Sequence, residues 1–103
     1  MRVLCVCHYG HSRSAAMVRM LHKRKIEAIC LGVLTSSYET ITHLSQWADI
    51  VIAMTASLGE EIQPLIGDKQ LLICETGPDI WSNPYHPDLL THCNQFLINQ
   101  GID

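Results

Sequence analysis

Four short apolar runs rich in Val, Ile and Leu divide the chain: Val3 to Val6, Ala28 to Val33, Ile50 to Met54 and Leu71 to Cys74. Each is apolar nearly throughout instead of at alternate positions, the pattern of a strand buried on both faces. Between the runs the spacing turns helical. Ala16, Met17, Met20 and Leu21 share one helical face, and Ser57 to Ile66 carries a second helical stretch. Leu89, Leu90, Cys93 and Leu97 mark a last helix, with Pro87 suited to its first turn and Gly101 to its end. Thr40 to Ala48 has the weaker pattern of a short helix. Strand and helix in alternation imply βαβ units joined by right-handed crossovers. The expected fold is therefore a small doubly wound α/β sandwich, one domain spanning residues 1–103, with a four-stranded parallel sheet in the flavodoxin-like order 2-1-3-4.

Composition narrows the function classes. With 48% hydrophobic and 17% charged residues, the chain has the make-up of an ordinary globule and not of a disordered one. A net charge of -3 argues against a general nucleic-acid binder, which would carry a basic face. The one basic cluster, His22 to Lys25, falls where the first helix should end, and cations there complement the helix dipole. The apolar run after Arg2 is too short for a signal peptide, and no stretch approaches the roughly 18 apolar residues of a membrane span. A cytoplasmic protein with no membrane partner is expected. Five cysteines, at positions 5, 7, 30, 74 and 93, are an odd number with no secretory signal, so a disulfide framework is not expected. Cys30, Cys74 and Cys93 read as small hydrophobes in apolar surroundings.

In an open α/β sheet, ligands bind at the carboxyl ends of the strands where the strand order reverses, and for the order 2-1-3-4 that place is the end of strand 1. The stretch CHYGHSRS, Cys7 to Ser14, lies there. A loop running from a buried strand into a helix N-terminus presents backbone N–H groups and the positive end of the helix dipole to an anion. Gly10 can take positive φ, which lets consecutive amides curl around one ligand. Arg13 adds a planar fork able to grip two phosphate oxygens. A thiol at the head of such a loop sits in positive surroundings that favour its thiolate, the nucleophilic form. The hydroxyl of Ser14 is placed to meet Cys7 or to cap the helix, with Ser12 as the other cap candidate.

CHYGHSRS resembles the phosphate-binding loop of the low-molecular-weight protein tyrosine phosphatases, whose signature is Cys, five residues, Arg, Ser. WADIVIAM, Trp47 to Met54, is similar to that family's third strand, and GPDIWSNPYHPDLL to its late loop with a Pro-Asp pair. The resemblance spans nearly the whole chain and is closest in pattern to short, minimal members. It implies a phosphomonoester hydrolase working through a phosphocysteine, with Cys7 as nucleophile, Arg13 gripping the phosphoryl group, Asp79 as general acid, and no metal or other cofactor. The implied partner is a phosphorylated substrate, a phosphotyrosine protein or a small aryl phosphate. His8, Tyr9, Gly10, His11, Ser12 and Ser14 would line the anion site, His8 and His11 through backbone more than ring, while Trp81 and Tyr85 would wall a cleft for an aromatic ester. Three positions depart from the family: Tyr9 and Gly10 stand where it has Gly-Asn, and Ser12 stands where it has a second loop cysteine used against oxidation.

Position in the fold selects the acid independently. Glu27, Asp49 and Asp68 precede strands and belong to the opposite edge of the sheet, Asp88 opens the last helix, Glu60 and Glu61 lie in a surface helix, and Asp103 is the last residue. Asp79 remains, with Glu39 and Glu75 as weaker candidates. Two other readings stay open. A phosphocysteine carrier, similar to the B component of a sugar phosphotransferase system, would have a like fold and a cysteine ending strand 1, yet it would need neither Arg13 nor Asp79. A non-catalytic phosphate-binding module would keep Cys7 and Arg13 and lack a working acid. A metal site on Cys5, Cys7, His8 and His11 would want a second ligand cluster, for which only His92 and Cys93 offer themselves.

Overall fold

The first apolar run becomes the centre of the sheet. In the computed structural model, which describes residues 1–10, 12–78, 80, 81 and 83–102, β1 (Arg2–Cys7) lies between β2 (Glu27–Gly32) and β3 (Ile50–Ala53), and β4 (Gln70–Ile73) pairs with β3 on its far side. All pairings are parallel and the order is β2-β1-β3-β4, as the alternation predicts. Because β1 has a strand on each side and a helical layer on each face, Val3, Leu4, Cys5 and Val6 are wholly buried. The outer strands are less covered. Along β4 every residue keeps some exposure, because an edge strand has a neighbour on one side only.

The helices are α1 (Arg13–Lys23), α2 (Tyr38–Trp47), α3 (Ala56–Ile66) and α4 (Pro87–Asn99). α1 packs against α4, and α2 against α3. Their starts are capped by side chains: Ser37 Oγ accepts from Thr40 N–H at 3.1 Å, Thr55 Oγ1 from Leu58 N–H at 3.2 Å, and His86 Nδ1 from Asp88 N–H at 3.2 Å. Each cap satisfies one of the amide donors that a helix leaves without an intrahelical partner. The segment with the weak helical pattern is thus a full helix, capped by Ser37 and beginning at Tyr38, two residues ahead of the expected boundary. One cluster of buried side chains runs through the chain from Val3 to Ile102.

The two edges of the sheet differ chemically. At the amino ends, Asp49 Oδ2 accepts from the Arg2 N–H at 2.9 Å, and Arg2 Nε lies 3.5 Å from Glu27 Oε2. These acids are engaged far from the carboxyl ends, as their position before strands implies. Two members of the basic cluster at the end of α1 are bonded within the chain. Arg24 donates to the carbonyls of Met20 and Ile102 and to Asn94 Oδ1, and His22 Nε2 donates to the Ala28 carbonyl. No helix among the described residues is long and apolar enough to cross a membrane.

Candidate active site

Three loops meet at the carboxyl edge. The β3 pairing continues past its strands: Met54 N–H donates to the Val6 carbonyl (2.9 Å), Cys74 N–H to Ala53 (2.9 Å) and Thr76 N–H to Met54 (3.0 Å), and Thr76 Oγ1 donates to that same Met54 carbonyl at 2.7 Å. This seam brings the segment after β4 beside the loop after β1, although 64 residues separate Arg13 from Gly77.

Cys7 ends β1, with 2% of its surface exposed, so its thiol is reached only from the loop. The Gly10 N–H donates to Cys7 Sγ at 3.0 Å, and Ser14 Oγ lies 2.9 Å from the same sulfur, either atom able to donate. Ser14 is wholly buried in the first turn of α1 and so cannot leave this position. A sulfur facing an amide and a hydroxyl has the surroundings that a thiolate accepts hydrogen bonds from. Arg13, the first residue of α1, is also buried, at 1% exposure. One terminal nitrogen donates to the Gly77 carbonyl (2.9 Å) and the other to His8 Nδ1 (2.9 Å). Arginine has donors only, so Nδ1 accepts, and the proton of the neutral His8 ring is on Nε2.

The loop owes its shape to two glycines. Gly10 has φ of 77°, and a Cβ there would sit 2.9 Å from Gly32 N. A Cβ on Gly32 would come within 2.3 Å of the Tyr9 carbonyl carbon, which backbone cannot accommodate. Loop and strand end therefore touch backbone to backbone, and Leu34 N–H donating to the His8 carbonyl (2.8 Å) secures the contact. Gly32 did not stand out in the sequence, because it sits inside an apolar run. The usable signal was a glycine in a strand pattern, which often marks close backbone approach.

Comparison with solved structures decides the fold. The chain is similar to the tyrosine phosphatase Wzb from Escherichia coli K30 in complex with phosphate, with 16% identity over 96% of this chain and 94% of that one and a TM-score of 0.70. It is also similar to a low-molecular-weight protein tyrosine phosphatase from Bacillus subtilis (17% identity, 100% and 99% covered, TM-score 0.66). A third similar structure is the YwlE arginine phosphatase from Geobacillus stearothermophilus (17% identity, 97% and 92% covered, TM-score 0.62). The chain has the low-molecular-weight protein tyrosine phosphatase fold. No protein-family model matches the chain, and no curated protein sequence does.

Within that phosphatase fold, the structure brings Cys7, His8, Gly10, Arg13 and Ser14 together. Ser12 is buried and its carbonyl accepts from Ala16 N–H at 2.8 Å, the first bond of α1. Tyr9 projects from the loop, half exposed. Trp81 is partly buried, with its indole N–H donating to the Thr76 carbonyl at 3.2 Å and its ring edge-on to His86. Tyr85 is exposed and lies beneath the Arg19 guanidinium, 4.4 Å from ring centroid to Cζ. His11 and Asp79 lie outside the described residues. His8 offers more than backbone: its carbonyl holds Leu34 and its ring holds Arg13.

Two residues read differently in the structure than in the sequence. Glu75, a weaker candidate for the acid, accepts from the Ala56 N–H at 2.9 Å and the Gly77 N–H at 3.0 Å, and these amides hold its carboxyl below the usual range. A carboxylate kept ionised in this way is a poor proton donor at neutral pH. Cys30, expected to be an interior thiol, is exposed, because β2 is an edge strand, and its thiol faces the Gly10 carbonyl at 3.6 Å. Cys5, Cys74 and Cys93 are buried as read. Burial is the first cause raising the Cys5 thiol, and hydrogen bonding with Cys74 the first cause raising Cys93. Among the described residues, no group of three or more His, Cys, Asp or Glu is placed to hold a metal ion.

Proposed function

We propose that this chain is a cysteine-dependent phosphomonoester hydrolase of the protein tyrosine phosphatase type, acting as one domain through a phosphocysteine. The observation that carries the reading is the arrangement at Cys7 Sγ. A buried sulfur faces the Gly10 amide and the Ser14 hydroxyl at the mouth of α1, with the Arg13 guanidinium in the same loop. That arrangement sits in a fold shared with solved tyrosine and arginine phosphatases.

In the proposed reaction, Cys7 attacks phosphorus in line as the thiolate, forming the S–P bond as the ester P–O bond breaks. Loop amides and Arg13 hold the equatorial oxygens. Asp79 gives its proton to the departing oxygen, then takes one from the water that attacks the phosphocysteine, releasing inorganic phosphate and restoring the thiolate. Asp79 follows Pro78 in the segment whose Gly77 carbonyl receives Arg13, and Glu75, its nearest rival, is committed to two amides. His8, Tyr9, Gly10, His11, Ser12 and Ser14 would line the anion site. Tyr9, Trp81 and Tyr85 support an aromatic ester as substrate, a phosphotyrosine protein or a small aryl phosphate. Five free thiols suit a reducing compartment, and we place the protein in the cytoplasm.

The test is hydrolysis of an aryl phosphate and of phosphoarginine, side by side, in the presence of a chelator. The reading expects aryl phosphate turnover that Cys7→Ser abolishes and that Asp79→Ala lowers by about 10²- to 10⁴-fold. Turnover of phosphoarginine alone would replace the substrate class, and no turnover of either would overturn the hydrolase.

A further inference from the structure

The buried guanidinium at the site is held from two sides by groups that belong to different loops. His8 stands next to the nucleophile, and Arg13 Nη2 donates to its ring at 2.9 Å. Gly77 stands 64 residues further on, and Arg13 Nη1 donates to its carbonyl at 2.9 Å. The Gly77 carbonyl is itself fixed, because Glu75 accepts from the Gly77 N–H at 3.0 Å and, with its other oxygen, from the N–H of Ala56, the first residue of α3, at 2.9 Å. The backbone of Glu75 is anchored too, since His92 Nε2 on α4 donates to its carbonyl at 2.9 Å. The exposed carboxylate of Glu75 thus ties the start of α3 to the segment that leads to Pro78.

We propose that His8 and Glu75 are positioning residues that aim the Arg13 guanidinium: His8 directly through Nδ1, and Glu75 by holding the Gly77 carbonyl where Arg13 meets it. The inference rests on the phosphatase reading for the nature of the anion, a phosphoryl group. A guanidinium grips two oxygens only when its plane is set, and an arginine side chain left unrestrained spreads over many rotamers. Two fixed acceptors remove that freedom before the anion arrives, which is the general advantage of a preorganised site. Because Nδ1 accepts from Arg13, His8 orients the cation through a lone pair and brings no negative charge against it. Glu75 contributes through the Gly77 side, and its own hydrogen bonds are to backbone.

Binding of inorganic phosphate, measured by titration calorimetry on the full chain, tests this apart from turnover, with aryl phosphate kinetics and melting temperature measured on the same variants. His8→Leu keeps the volume and removes the acceptor, and it is expected to weaken phosphate binding about 10- to 100-fold, the loss of one hydrogen bond to a charged group. His8→Asn is expected to restore most of that affinity, since Asn Oδ1 stands as many bonds from the backbone as His Nδ1. Glu75→Ala is expected to weaken phosphate binding about tenfold with little change in melting temperature, because Glu75 is exposed and acts through Gly77. In kinetics both losses should appear in kcat/KM. Wild-type affinity in His8→Leu and Glu75→Ala, or equal losses in His8→Leu and His8→Asn, would overturn the proposal, as would a wild type that binds no phosphate. A wild type that binds phosphate with this variant pattern yet hydrolyses no ester would uphold the positioning and defeat the hydrolase.

Discussion

A methyl group on Gly32 would fall 2.5 Å from the Tyr9 carbonyl oxygen and 2.7 Å from Thr35 Oγ1, so the smallest side chain at this position displaces the loop after β1. Gly32→Ala is expected to cost about 1 to 3 kcal/mol through overpacking and to weaken phosphate binding, with thermal melting and calorimetry as the measurements. Gly10→Ala meets the same wall from the other side and adds a φ of 77° that side chains disfavour, so a wild-type melting temperature in either variant would contradict the close contact. The thiols make a second residue-scale expectation. Cys30 is exposed while Cys5, Cys74 and Cys93 are buried, so a maleimide under native conditions should label Cys30 ahead of those three. Native labelling of Cys93 at a comparable rate would contradict the packing of α4. What the local sequence made legible was the candidate loop itself, since Cys7, Gly10, Arg13 and Ser14 are neighbours in the chain. The partners of Arg13 were not legible, because Gly77 is brought to it by the sheet and a histidine side chain beside a cysteine does not announce which way it turns.

At the level of elements, the apolar runs located the strands, and hydrogen bonding set their ends. Arg2 pairs with Glu27 and Cys7 with Gly32, so β1 extends one residue past its apolar run at each end, while β2 starts one residue before its run and ends at Gly32, one residue short of it. The reading of uniform burial held for β1 and failed for β4, because apolar composition alone does not distinguish a central strand from an edge. Helix starts carried their own signals. Ser37 and Thr55 each accept an amide of the following turn, and loss of either cap is expected to cost about 1 kcal/mol. For a domain of this size that is a fall of about 4 to 8 °C in Tm for Thr55→Ala. A fall below about 1 °C would mean the cap is replaced by water without loss. Leu4, wholly buried on the central strand, marks the other extreme, with about 2 to 5 kcal/mol expected for Leu4→Ala by chemical denaturation.

Across the whole molecule, the sheet's two edges divide the labour: acids at the amino ends bind Arg2, and three loops meet at the carboxyl ends, where Cys7 ends β1. Glu75 links two of those loops, and its depressed pKa gives the fold a pH dependence of known sign. The folded chain binds this proton less readily than the unfolded chain, so the contribution is in place above the ordinary glutamate value of 4.5 and is lost as the pH falls through the lower folded value. Glu75→Gln should therefore flatten the stability profile on the acid side of 4.5, and a profile unchanged by the substitution would contradict the double amide contact. The whole account turns on the chemistry at Cys7. The most direct measurement is rapid-quench mass spectrometry of an aryl phosphate reacting with Asp79→Ala, in which formation and breakdown of the intermediate are both slowed. One phosphoryl group is expected on the peptide containing Cys7 and none in the double variant that also carries Cys7→Ala. Turnover by the wild type with the phosphoryl group on another residue, or on none, would contradict it.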